Sequence, residues 1–146
     1  NSVTEAASKI KELQQKYSVP LANICVDEDG VGGGVKDILR CKGFVNNSKA
    51  LKGENYVNLK TQCYYKLADY INKLSIHINC KDITIKNIIT QELEQVRRKN
   101  YDKDTKLQLI SKEEVKTAIG RSPDYSDALM MRLVYELKGE GKYYIH

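Results

Sequence analysis

Three groups of charged residues in this 146-residue chain have the types and spacing to do chemistry. Asp27 falls where a short apolar run ends and a glycine-rich segment begins, with Glu28 and Asp29 adding negative charge beside it. Open α/β sheets present ligand-binding groups at such strand ends. Asp127 is the second. At ~100° per helical residue, Met131 and Val134 lie within ~40° of it and Met130 within ~60°, so a carboxylate shares an apolar stripe. A carboxylate facing a core without a partner is strongly disfavoured, so Asp127 must meet a cation, a metal or a hydrogen-bond donor. Asp124, three residues earlier, points to nearly the same side. The third group is Arg97-Arg98-Lys99, in a stretch (residues 51–100) whose nine basic and five acidic side chains hold most of the net charge of +5. A basic middle suits a polyanion partner, and it equally suits a solvated helix end.

Two carboxylate groups beside a basic surface are the parts needed for metal-dependent phosphodiester cleavage. In that chemistry acids hold two divalent ions ~3.5–4 Å apart, one activating the attacking water and the other stabilising the leaving oxygen. All-oxygen ligands suit Mg2+ or Mn2+, whereas zinc calls for His or Cys. The only histidines are His77 and the terminal His146, and Cys25, Cys41, Cys63 and Cys80 are too widely spaced for a zinc knuckle or a redox pair. The cysteines read as reduced, mostly buried thiols, which points to a cytoplasm. Gly30-Val-Gly32-Gly-Gly34 lacks the G-x-G-x-x-G spacing, and three acids before it would repel a pyrophosphate. No G-x-x-x-x-G-K-[ST] occurs, and Gly139-Glu-Gly141-Lys142 is no substitute.

The elements that must carry these residues follow from periodicity and capping. Ser2-x-x-Glu5 is a capping box for an amphipathic helix over residues 3–17, ended before Pro20. Leu21 to Val26 reads as a buried strand, the glycine segment leads into a helix through Val35, Ile38 and Leu39, and Gly43-Phe44-Val45 reads as the next strand. Residues 46–57 are polar and turn-rich. Leu59, Cys63, Leu67 and Ile71 mark a long helix, Ile76-His-Ile78 a short strand, and Ile85, Ile89, Leu93 and Val96 a helix ending at Arg97-Arg98. Strands around Lys99–Tyr101 and Leu107–Ile110 can pair as a hairpin. Ser111-x-x-Glu114 caps a short helix to about Ile119, and Ser122 with Pro123 starts the last helix as N-cap and first-turn residue. This order argues for an α/β layer fold with a mixed sheet. The length fits one domain, and 41% hydrophobic and 29% charged residues with 2 Pro exclude a disordered or fibrous chain. No apolar run approaches the ~18 residues that cross a bilayer, and the first residues lack a signal-peptide layout.

Four stretches together resemble the C-terminal nuclease domain of tailed-phage terminase large subunits. They are Ile24-Cys-Val-Asp27-Glu-Asp-Gly30-Val-Gly32-Gly-Gly-Val35-Lys-Asp37-Ile-Leu39, Asn55-Tyr56-Val-Asn58, Leu109-Ile-Ser111-Lys112-Glu113, and Ser122-Pro123-Asp124-Tyr-Ser-Asp127-Ala128-Leu129. Their order and spacing cover most of residues 20–135, and the first followed by the last is specific in combination. The resemblance implies an RNase H-like mixed sheet flanked by helices, with Asp27 as the strand-end metal ligand and Asp127 as the late-helix metal ligand, Asp124 close by. It places Lys112 where it could contact the DNA backbone, and the basic run Arg97, Arg98 and Lys99 could hold phosphates beside it. The partners implied are double-stranded DNA and other terminase or portal components, in the cytoplasm of a bacterial host and without a membrane.

RNase H-like nucleases place another essential aspartate on the first strand of an early meander, and this chain begins after that point. The expectation is therefore an N-terminally truncated fold with an uncovered sheet edge, which a homodimer could relieve, and with no ATPase motor. Three readings stand. The first is an Mg- or Mn-dependent endonuclease domain, residues 1–146, cleaving double-stranded viral DNA during genome packaging. The second is a non-catalytic RNase H-like remnant that binds DNA or a packaging protein. The third, a nucleotide-binding α/β domain, rests on the glycine segment alone.

Overall fold

The computed structural model describes residues 2–29 and 32–139, and these fall into two compact units divided between Ser48 and Lys49. Gly30 and Val31 of the glycine segment, the Glu140–Lys142 part of the late glycine stretch and His146 lie outside the described residues.

In the first unit, α1 (Val3–Lys16) starts where expected. The Ser2 hydroxyl accepts the Glu5 N–H at 3.1 Å, and the Glu5 carboxylate accepts the Ser2 N–H at 2.9 Å. Its Val3, Ala7 and Ile10 face pack on Val35, Leu39, Cys41, Ile24 and Val26 to form a small core. The strand expected from Leu21 begins later. Pro20 opens a 3-10 turn over Leu21–Asn23, and only then does β1 (Cys25–Asp27) extend. It runs parallel to β2 (Lys42–Phe44), with Asp27 opposite Phe44, and α2 (Gly32–Leu39) links them as a β–α–β unit. Gly32 allows that link. A Cβ there would sit 1.5 Å from the Asp27 carbonyl oxygen, so no other residue lets the helix start so close under the strand end.

In the second unit, α3 (Leu59–Asn72) is capped by Asn58, whose side-chain oxygen accepts the Thr61 N–H at 2.9 Å. Asp82 caps α4 (Ile83–Glu94) in the same way. Between them, Ile76-His-Ile78 is not a strand. The partly buried and exposed residues alternate as a strand would, but no described segment lies beside it to complete a ladder. Helix α4 ends at Glu94, so Arg98–Lys99 falls in β3 and not on a helix end, paired antiparallel with β4 (Gln108–Leu109). The expected hairpin is present. Residues 55–57 add to it through a parallel bridge from Tyr56 to Leu107.

Helix α5 (Lys112–Ile119) has the expected capping box of Ser111 and Glu114 and ends on Gly120 in the left-handed conformation, φ 73°. The last helix begins one residue later than expected. Pro123 occupies the N-cap, Ser122 does not cap, and α6 (Asp124–Arg132) is followed after Leu133 by the short α7 (Val134–Leu137). Pro123 itself lies outside the helical region, φ −83° and ψ 57°, so it and not Ser122 is the residue that flanks the first turn. Cys63, Tyr64, Leu67, Ile89, Val115, Met130, Leu133 and Val134 form the buried centre of this unit.

All four cysteines are free thiols, with Cys41 and Cys63 buried and Cys25 and Cys80 partly so. Burial pushes the Cys41 thiol up, holding it neutral. No helix among the described residues is long and apolar enough to cross a membrane. Both strand senses are present, each unit holding one two-stranded sheet. The Gly32 contact predicts that Gly32→Ala costs about 1–3 kcal/mol in urea unfolding, because backbone must shift. Gly33→Ala should stay within about 1 kcal/mol of wild type or gain from helix propensity, since its Cβ would meet only Glu28 O at 3.4 Å.

Candidate functional site

Asp127 is buried at the fourth position of α6, and the partner its burial demands turns out to be cationic. Lys60 Nζ lies 2.9 Å from its Oδ1 and Lys112 Nζ 2.8 Å from its Oδ2. The Tyr64 hydroxyl donates to Oδ1 at 2.8 Å. Each donor is set in place by its own helix. Lys60 and Tyr64 are four residues apart on one face of α3, while the Ser111 cap sets Lys112 as the first residue of α5. Burial pushes the Asp127 carboxyl up, but the Lys60 charge and the hydrogen bonds from Lys112, Lys60 and Tyr64 outweigh it and hold the group below the ordinary carboxylate range. Burial and the neighbouring Asp127 charge push the Tyr64 phenol far up, so it stays protonated and donates.

A second buried acid supports the first. Glu92 on α4 is fully buried and paired with Arg121. Its Oε2 accepts the Ser126 N–H at 2.7 Å, supplying the acceptor that the Pro123 N-cap cannot give to α6. Ser126 Oγ lies 3.1 Å from the Tyr64 hydroxyl and donates to Pro123 O at 3.1 Å. A continuous polar chain therefore runs from Arg121 through Glu92, Ser126 and Tyr64 to Asp127.

In the first unit Asp27 is the last residue of β1 and only partly buried. Its Oδ1 accepts the Asp29 N–H at 3.1 Å and an Asn46 side-chain N–H at 3.2 Å, and the same Asn46 amide donates to Asp29 Oδ2 at 2.8 Å. Glu28 turns the other way, onto Lys36 and over Gly43. Its charge is spent there and not beside Asp27, contrary to the expected three-acid cluster. Asp124 is exposed at the start of α6, and Arg97, just before β3, and Arg98 and Lys99 on it are exposed.

The donor chemistry at the two aspartates differs. Among the described residues the Asp27 and Asp29 carboxylates are held by neutral amides, which suits them as ligands of a hard divalent cation. Both oxygens of Asp127 already hold ammonium groups, so it does not fit a metal as arranged. Among the described residues no three His, Cys, Asp or Glu side chains gather as a metal cluster. Sequence reasoning missed Lys60, Tyr64, Glu92, Arg121 and Asn46. For Glu92 a signal existed: it sits three residues after Ile89 and seven after Ile85, an acid on an apolar helical stripe like Asp127.

No protein-family model and no curated protein matches the chain. Solved structures do. A mutant nuclease domain of the large terminase subunit of bacterial virus Sf6, with manganese and β-thujaplicinol, superposes with a TM-score of 0.70 at 22% identity, over 88% of this chain and 71% of that one. The chain has the fold of the terminase nuclease domain. The manganese form without that ligand gives a TM-score of 0.61 at 23% identity, over 75% of this chain and 64% of that one, and the domain without the mutation gives 0.61, 23%, 75% and 63%. The chain thus spans about two thirds of the length of the terminase nuclease domains it matches. The RNase H-like α/β architecture expected from the sequence is the one observed.

The charge balance at Asp127 sets an acid response. A carboxyl held below its unfolded value near ~4 stabilises the fold above that value, and the contribution is lost as pH falls through the folded value. In metal-free buffer, Asp127→Asn should lower stability at pH 7 by about 1.5–3 kcal/mol and flatten the decline below about pH 4. Urea titrations across pH 2.5–7 measure both, and an unchanged acid limb would contradict the assignment.

Proposed function

We propose that this chain is a divalent-metal-dependent endonuclease domain that cuts double-stranded viral DNA during genome packaging. The observation that carries the reading is the fold, shared with terminase nuclease domains of which mutant forms are solved with manganese. Asp27 and Asp127 are the residues we assign to the metals and to catalysis, with Asp124 assisting. Mg2+ or Mn2+ would lower the pKa of the attacking water and stabilise the leaving oxygen. Asn46 would orient the Asp27 carboxylate, and the Tyr64 and Glu92 chain would fix α6 and with it Asp127. Arg97, Arg98 and Lys99, exposed at and just before β3, and Lys112 on α5 would hold DNA phosphates. We read the setting as the cytoplasm of a bacterial host, with residues 1–146 working beside other terminase or portal components. The outer edges of the β1–β2 pair, which has no third strand among the described residues, would be where another component or a second copy pairs.

A specific observation favours a second reading, a non-catalytic RNase H-like module that binds DNA or a packaging protein. It is the double lysine pairing of Asp127, which already compensates the charge a metal would need. Plasmid nicking with Mg2+ or Mn2+, compared with EDTA, separates the two. The endonuclease reading expects metal-dependent nicking that falls to background in Asp27→Asn and in Asp127→Asn. DNA binding without nicking under any metal condition supports the module instead, and cleavage surviving both substitutions overturns the residue assignment. Four phosphate contacts also predict a log–log salt slope of about −3.6, or roughly 100-fold weaker DNA binding between 50 and 200 mM salt. Arg98→Ala should reduce that slope by about 0.9 in a fluorescence-anisotropy titration.

A further inference from the structure

We propose that Tyr101, backed by the Arg98 guanidinium, is a stacking platform for an unpaired DNA base, so that this chain binds DNA carrying single-stranded bases more tightly than a blunt duplex. This rests on the DNA-binding part of the proposed function and adds the kind of DNA that the hairpin takes. Tyr101 lies two residues beyond the end of β3 and is 76% exposed. The turn that carries it is defined. Asn100 stands in the left-handed conformation, φ 55°, and its carbonyl accepts the Lys103 N–H at 3.2 Å. The Arg98 guanidinium carbon lies 5.0 Å from the Tyr101 ring centroid, over one face. A planar guanidinium covers that face well, and the high exposure leaves the other face open to solvent.

The surroundings of the ring divide as a single-strand site does. On one side are the exposed cations Arg97, Arg98 and Lys99, and the strand ladder runs on from them, with the Ile110 N–H donating to the Arg97 carbonyl at 2.9 Å, two residues before Lys112. On the other side the charges of Asp102, Lys103, Asp104 and Lys106 cancel, so the connection adds no net attraction for phosphate. A basic strand that tracks the backbone beside an aromatic ring that takes a base is the combination that binds single strands with little sequence preference. A continuous duplex gives the ring nothing to stack on, because its neighbours cover both faces of each base, and the side chains that wedge between base steps are mostly apolar ones. Exposure alone does not mark a tyrosine for this role. Tyr17 is 64% exposed with the Lys16 ammonium 5.2 Å from its ring, but it sits at the end of α1 without a contiguous basic run.

The test is fluorescence anisotropy of the full chain in EDTA at low salt, with a blunt duplex, the same duplex carrying a single-stranded overhang, and an oligothymidine strand. Tyr101→Ala should weaken overhang and single-strand binding by about 5- to 30-fold and leave blunt-duplex binding unchanged. Tyr101→Phe, which keeps the ring, should retain the single-strand affinity, and Tyr17→Ala should lose none. The chain has no tryptophan, so Tyr101→Trp introduces a single reporter. Oligothymidine should quench its emission and the blunt duplex should not, a signature that a ring serving only to stiffen the hairpin would not give. Wild-type single-strand affinity in Tyr101→Ala, or equal losses on blunt and single-stranded DNA, overturns the stacking role and leaves the phosphate contacts of Arg97, Arg98 and Lys99 standing. Absence of binding to all three DNAs by the wild-type chain removes the DNA reading itself, and the stacking role with it.

Discussion

A carboxylate inside an apolar helix face has to be neutralised, and Asp127 is the residue on which the second unit is organised for that purpose. Three helices meet at its two oxygens. Helix α3 supplies Lys60 and Tyr64 from one face, α5 supplies Lys112 from its first turn, and α6 carries the acid itself. Each supplier is held by a local device, Asn58 capping α3 and the Ser111–Glu114 box capping α5. Glu92 extends the arrangement by bonding the Ser126 N–H, so the helix bearing Asp127 is anchored from α4 as well. Polar groups that reinforce one another in a low-dielectric interior specify a single arrangement, because any half-made version leaves a buried charge exposed to its cost.

Asp27 lives under a different constraint. It ends a short parallel strand whose partner and following helix are brought close by Gly32, and its own neighbours are an Asp29 N–H and an Asn46 amide. Neutral donors orient a carboxylate without cancelling its charge, whereas two ammonium groups cancel it. The two aspartates assigned the same chemistry therefore stand in opposite electrostatic states in the metal-free chain. One is poised to attract a cation and the other already holds two.

The basic residues divide along the same line between structure and surface. Lys60 faces a buried acid and Arg121 faces Glu92, so these charges are engaged inside the unit, while Lys112 bonds the same acid as Lys60 with its side chain still 40% exposed. Arg98 and Lys99 on β3 and Arg97 just before it lie exposed, the strand pairing holding the first two without burying them. Arg98 stacks over the exposed Tyr101 ring at 5.0 Å, a pairing of cation and aromatic that stiffens the base of the hairpin.

Local rules were enough to read much of the architecture from the sequence. The first helix, both capping boxes, the β–α–β order and the charged hairpin are all local, since periodicity, caps and turn residues act within a few positions. So was the demand at Asp127 for a cation, a metal or a donor, because the apolar stripe around it is written in consecutive residues. Only the tertiary structure decided who answered that demand. Lys60 precedes Asp127 by most of the unit, and nothing in either neighbourhood announces the pairing. The same holds for Glu92 with Arg121 and for Asn46 with Asp27. Long-range choices also removed the strand at Ile76–Ile78, which alternates correctly but has no neighbour to pair with among the described residues. A strand and a buried ion pair share one property: each needs a partner, and a partner's position is a fact of the folded chain.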